Sequence, residues 1–170
     1  MKNALFLLFL IPLFSNCQTD KTAVSKYPAK VGNIIFDEKV DDINFKRCIS
    51  DDRFMYQYYN DSKGFQYKGE KYEIEKKLKS LSLKELSGKS GYITIRFVVN
   101  CEGKTGLFRM KQMNEDYKEF VFDEKLSNQL LIFTKSLNGW APKEIEGKKI
   151  DYYQYLTYKI ENGQVSEILP

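Results

Sequence analysis

The side chains best suited to chemistry in this 170-residue chain are three cysteines, Cys17, Cys48 and Cys101, and the chain contains no histidine. Without a histidine base, the usual activation of a serine or cysteine nucleophile is closed to it. Metal binding is not expected, because Cys48 and Cys101 alone make a poor zinc site. The acidic residues Asp37, Glu38, Asp41, Asp42, Asp51 and Asp52 lack the spacing of a calcium loop and read as solvated acids. No two carboxylates stand out as a glycosidase pair, and nothing flags a Ser–Lys dyad. The expectation is a protein that is not an enzyme and carries no cofactor.

Cys17 acquires a different chemistry from its position. Met1-Lys2-Asn3 is followed by an apolar run from Ala4 to Phe14 and then by Ser15-Asn16-Cys17. A positive start, a short apolar stretch and small or polar residues before a cut site describe a secretory signal peptide over 1–16. The run is too short for a membrane-spanning helix, which needs about 20 residues. Leu13-Phe14-Ser15-Asn16-Cys17 resembles the lipobox of bacterial lipoproteins, which implies acylation of the Cys17 thiol and cleavage before it. The plainer alternative is an ordinary signal peptide with a stray cysteine near its end. Two or more acyl chains would hold the mature chain firmly on a membrane. By resemblance to bacterial sorting rules, Gln18 after the cysteine points to the outer membrane, with the protein facing the periplasm. In an exported chain the two remaining thiols, Cys48 and Cys101, most often pair; two buried free thiols are the alternative.

The elements that must position these residues follow from composition and periodicity. The formal charge of +4 falls to near +3 without the leader, whose one charge is Lys2, and such a mild excess does not call for nucleic acid. Twelve Tyr and twelve Phe suit half-buried strands and adhesive surfaces alike. Residues 17–33 are polar and aperiodic and read as a flexible tether. Residues 34–64 are ambiguous, with an apolar Ile34-Ile35-Phe36 and an aromatic run from Phe54 to Tyr59, and are expected to pack on the domain as an N-terminal extension. Ile74, Leu78 and Leu81 recur at helical spacing over 70–81. Ile93, Ile95, Phe97 and Val99 alternate with polar partners over 91–100, which predicts a half-buried strand. Asn100-Cys101-Glu102-Gly103-Lys104 reads as a hairpin turn and 105–113 as the return strand. Asp123 is a natural N-cap for a helix running to Asn138, with Leu126, Leu130, Phe133 and Leu137 as its core stripe. A loop follows, then a long strand over 149–160, a turn at Asn162-Gly163 and a short terminal strand over 164–169. The sum is an α+β fold: a small antiparallel sheet, from hairpin 91–113 and the strand 149–160, packed against two helices.

From Phe65 to Ile168 this order resembles the C-terminal domain of the TonB family. The residues that carry the likeness are Gly91 to Val99 as the first strand, Glu102-Gly103 as the turn and Leu126 to Leu137 as the helix. Trp140-Ala141-Pro142 and Gly147-Lys148-Lys149-Ile150 then match the family's Trp-Pro loop and the start of its last strand, and Tyr67-Lys68-Gly69-Glu70 its opening element. The domain so implied is 65–170. An energy-transducing member resembles a rod with a transmembrane helix carrying a histidine and a long Pro-rich spacer. Here there is no histidine, and after residue 16 the prolines are Pro28, Pro142 and Pro170. The tether reaches at most roughly 70 Å. The resemblance therefore implies a binding module on a lipid leash rather than a transducer.

In that family an extended peptide of an outer-membrane transporter pairs with the last strand. Carried over, the partner is an envelope protein or extended peptide bound by edge-strand pairing along 151–160. If Leu156, Tyr158 and Ile160 face the core, Tyr153, Tyr155 and Thr157 face away and form the partner-binding row. The competing arrangement has these tyrosines packed under residues 34–60. Trp140 reads as a core plug. The alternative function is a small-ligand or inhibitor-type periplasmic lipoprotein with a pocket walled by Phe and Tyr.

Overall fold

The computed structural model describes residues 32–51, 55–57, 65–81, 83 and 88–169. Cys17 and the leader lie outside them. The framework is a four-stranded antiparallel sheet with two helices on one face. Its first strand, β1 (Gly91–Val99), forms where the apolar alternation is strongest, with Ile93, Ile95, Phe97 and Val99 buried on the helix side. The turn after it is built by Asn100. Its side-chain oxygen accepts from the amides of Glu102 and Lys104 at 3.0 and 2.9 Å, and its own amide donates to the Lys104 carbonyl at 2.8 Å. Gly103 sits in this turn at φ 79°, and a side chain there would strike the Trp140 carbonyl. Strand β2 (Thr105–Asn114) returns alongside β1, with a register shift between Arg96 and Val98.

Helix α1 (Glu70–Lys79) buries Ile74 and Leu78. It ends two residues before the predicted Leu81, where the Ser80 hydroxyl and amide both donate to the Lys77 carbonyl, at 2.7 and 3.2 Å. Helix α2 (Glu124–Ser136) starts at Asp123, whose carboxylate accepts from the Lys125 amide at 2.7 Å. Leu126, Leu130 and Phe133 line its buried face, and the chain turns extended at Leu137, which stays in the core.

The predicted long strand over 149–160 is divided at Asp151. Residues Lys143–Ile145 (β3) and Lys148–Ile150 (β4) form a small separate hairpin about Glu146 and Gly147, which take φ 51° and 75°. Strand β5 (Tyr152–Glu161) then joins β1 along nine residue pairs. Asn162 and Gly163, at φ 52° and 81°, make a two-residue turn with both residues left-handed, the geometry that suits strand twist. It returns the chain as β6 (Gln164–Leu169) against β5. The strand order is β2-β1-β5-β6.

Two apolar clusters flank this sheet. On the helix side, Ile93, Ile95, Phe97 and Val99 of β1 pack with Leu156, Tyr158 and Ile160 of β5, the stripes of α1 and α2, and Trp140. On the rear face, Val98, Leu107 and Tyr153 pack with Ile34, Phe45 and Met55. The latter belong to an irregular strap formed by residues 33–51 and 55–57, which is laid across the back of the sheet. The Phe45 ring occupies the space that a Cβ on Gly106 would need.

Candidate functional site

The tyrosine row does not lie on a free edge. Strand β5 is an interior strand, paired with β1 on one side and, from Thr157 to Glu161, with β6 on the other. Tyr56 of the strap bridges in parallel to Tyr152 at the remaining end. Tyr153, Tyr155 and Thr157 do share the rear face, but Tyr153 is 1 % exposed. Its hydroxyl accepts from the Ile34 amide at 2.9 Å, and the Arg96 guanidinium lies 4.0 Å from its ring centre. Tyr155 and Thr157 are half-buried, and the Thr157 hydroxyl is 3.0 Å from that of Thr94. The physical reason is the Asn162-Gly163 turn. By folding residues 164–169 back on β5, it moves the outer edge one strand further.

That outer edge belongs to β6. Among the described residues no strand pairs with its far side. Beside it runs a groove of about 330 Å³ between β6 and the end of α1. Its apolar lining is Leu78, Leu81, Leu83, Leu126, Val165 and Ile168, and its rim carries Glu75, Lys79, Gln164, Ser166 and Glu167. Leu81 stands 43 % exposed at its mouth, two residues past the end of α1. Lys71 spans the two walls, 3.6 Å from Glu75 and 3.9 Å from Glu167. Nothing in the periodicity of 164–169 foretold a groove. The signal that could have found it was Leu83, an apolar residue just beyond the helix predicted over 70–81.

A second concavity, open and about 390 Å³, lies over Trp140, with Phe65, Tyr67 and Gly139 among its walls. Its aromatic surfaces are already spent on one another: the Trp140 ring lies 5.6, 4.9 and 5.1 Å from those of Phe65, Tyr67 and Phe97. The indole Nε1 is buried without a partner among the described residues.

Cys48 and Cys101 form a disulfide. Next to it stands a residue the sequence reading missed. Asp151 is fully buried, and its carboxylate accepts from three backbone amides: Cys48 at 2.8 Å, Ile49 at 2.9 Å and Cys101 at 2.9 Å. Both sulfurs and this carboxylate lie within 4.8 Å of one another, but sulfurs joined as a disulfide offer no thiolate to a metal. The one hint in the sequence was an aspartate set directly between Ile150 and the aromatic pair Tyr152-Tyr153.

The acids of the strap are not all solvated. Asp41 has a side chain 1 % exposed and takes a bidentate fork from Arg109, at 2.7 and 2.6 Å. That guanidinium holds the Asp41 carboxyl below its usual range, and the carboxylate in turn raises Arg109. Arg109 also donates to the Ile35 carbonyl at 2.7 Å. Asp37 and Asp42 accept from the amides of Lys39 and Asn44 at 3.0 and 2.8 Å, so their carboxylates shape the strap's own turns.

Compared with known proteins, the chain matches no family model, no curated protein and no solved structure at a significant level.

Proposed function

We propose that this chain is a non-catalytic binding module of the cell envelope, lipid-anchored through Cys17, that takes an extended segment of a protein partner by adding a strand to β6. The observation that carries the reading is the unpaired outer edge of β6 beside a groove lined by Leu78, Leu81, Leu83 and Leu126. Main-chain hydrogen bonds to the edge would supply affinity, and apolar side chains of the segment entering the groove would supply selectivity. The order of hairpin, helix, Trp-Pro loop and long strand supports the likeness to TonB C-terminal domains. The partner-binding strand shifts from the predicted Tyr153, Tyr155 and Thr157 to 164–169. An outer-membrane transporter is the partner class that likeness favours.

The test is crosslinking in intact envelopes, followed by purification of the tagged chain. Leu81→Glu places a charge at the mouth of the groove and should abolish the crosslinked species. Tyr155→Asp, on the half-buried rear face, should retain it. Retention in Leu81→Glu would reject the site.

A further inference from the structure

The strap and its disulfide do more than add weight to the fold. Strand β6 covers β5 only from Thr157 to Glu161. Upstream, the edge is occupied by the strap: the Tyr56 amide donates to the Asp151 carbonyl at 3.2 Å, and the Tyr153 amide donates to the Tyr56 carbonyl at 2.8 Å. Beneath this contact lies the rear apolar cluster, in which Ile34, Phe45 and Met55 cover Val98, Leu107 and Tyr153. Lifting the strap would uncover main-chain groups and an apolar bed at one place, the two ingredients of strand addition.

Two features favour release of the part of the strap around Cys48. Cys48 is exposed at the surface, so an outside thiol can reach the bond. Asp151 then couples the parts. Two of its three amide donors, Cys48 and Ile49, are on the strap, and the third, Cys101, is in the hairpin turn to which Cys48 is bonded. A buried carboxylate that loses those donors must take up water. Partial detachment is therefore penalised, and the strap is held either closed over a dry carboxylate or away from a wet one.

We propose that the Cys48–Cys101 disulfide is a redox clasp, closed under oxidising conditions, whose reduction by a dithiol releases the strap around Cys48 and Tyr56 and bares the main-chain edge at Asp151–Tyr153. A thiolate of the dithiol attacks the Cys48 sulfur, forming a mixed disulfide and expelling the Cys101 thiolate, which takes a proton. The second thiol of the reductant attacks its own sulfur in that mixed disulfide and frees Cys48. Two electrons pass from the dithiol, which ends as a cyclic disulfide, to the two cysteines, which end as thiols. This proposal is independent of the β6 site.

The experiment is amide hydrogen exchange on the full chain, oxidised and after dithiothreitol, with thiol labelling and mass measurement to establish complete reduction. A Cys48→Ser, Cys101→Ser double variant provides a second route to the open clasp. The amides of Cys48, Ile49 and Tyr153 should exchange faster by about tenfold or more on reduction, while Ile95 and Phe97 in β1 keep their protection. Reoxidation of the wild-type chain should restore the slow rates. Unchanged exchange at Tyr153 in the fully reduced chain would overturn the proposal. So would equal acceleration in β1, which would make the disulfide a staple of the whole fold. Should the double variant not fold, the reduced wild-type chain still decides between these results.

Discussion

The two faces of the β-sheet are covered by different kinds of material. On the helix side, α1 and α2 lay periodic stripes of leucine, isoleucine and phenylalanine on β1 and β5. On the rear side an irregular strap contributes three apolar residues and is otherwise fastened at points: a disulfide, the Asp41–Arg109 fork and the buried carboxylate of Asp151. The first face draws its stability from area removed from water, spread over many residues. The second draws it from a few contacts, each of which can be undone by one change of redox state, pH or sequence. A domain made this way can keep its framework while one side opens.

The largest loss comes from the helix side. Leu130 is fully buried in the middle of α2. Leu130→Ala should cost about 4 kcal/mol, through lost transfer energy and the cavity left behind. Urea unfolding should show this as a lower midpoint for the entire domain, with no separate phase for the strap. On the rear side Asp151→Ala removes the common acceptor of three amides and should cost about 3 kcal/mol. Its signature should differ: faster exchange at Cys48 and Ile49 with β1 still protected. Loss of β1 protection at the same rate would mean that the two faces are one cooperative unit.

A smaller loss follows at the strap's fork. Arg109→Ala leaves Asp41 buried without its fork and should cost about 2 kcal/mol. Acid should act at the same place. Because Arg109 holds Asp41 below its usual carboxylate range, the folded state binds that proton less readily than the unfolded chain. The Asp41 contribution is therefore complete above the unfolded value, near pH 4, and is lost as the pH falls through the lower folded value. Stability measured against pH should fall less steeply below pH 4 in Arg109→Ala than in the wild-type chain.

How far the sequence could be read follows the same division. The helix-side face was legible, because period 2 in 91–99 and the stripe at Leu126, Leu130 and Phe133 are repeated signals that average over many residues. The terminal strand 164–169 was legible from the Asn-Gly turn before it. The same turn, by folding 164–169 back on β5, carries the outer edge to β6, and that moved the candidate site from β5 to β6. The break at Asp151 was hidden, since one aspartate within a mixed stretch of lysine, isoleucine and tyrosine gives no period. The Asp41–Arg109 fork joins residues 68 apart, a distance over which neither local propensity nor charge count carries information. The cysteine pairing was reached from compartment and number rather than from pattern. Leu81 closed the helix predicted over 70–81, which stops at Lys79, where Ser80 caps the Lys77 carbonyl.

The smallest effect lies at the polar link inside the helix-side core. The Tyr158 hydroxyl is 2.7 Å from that of Thr134, and the Thr134 hydroxyl also donates to the Leu130 carbonyl at 2.7 Å. Tyr158→Phe deletes one hydroxyl and leaves the Thr134 oxygen with a backbone partner, so the cost should be about 1 kcal/mol. Burial pushes the Tyr158 phenol well above its usual range, because the charged form would stand dry among apolar neighbours. Its stabilisation is then complete below the unfolded value near pH 10 and is lost as the pH rises toward the folded one. Alkali thus strikes the helix side where acid strikes the strap. Tyr158→Phe should flatten the decline above pH 10 and leave the acid limb unchanged, and an unaltered alkaline limb would show that Tyr158 does not set it.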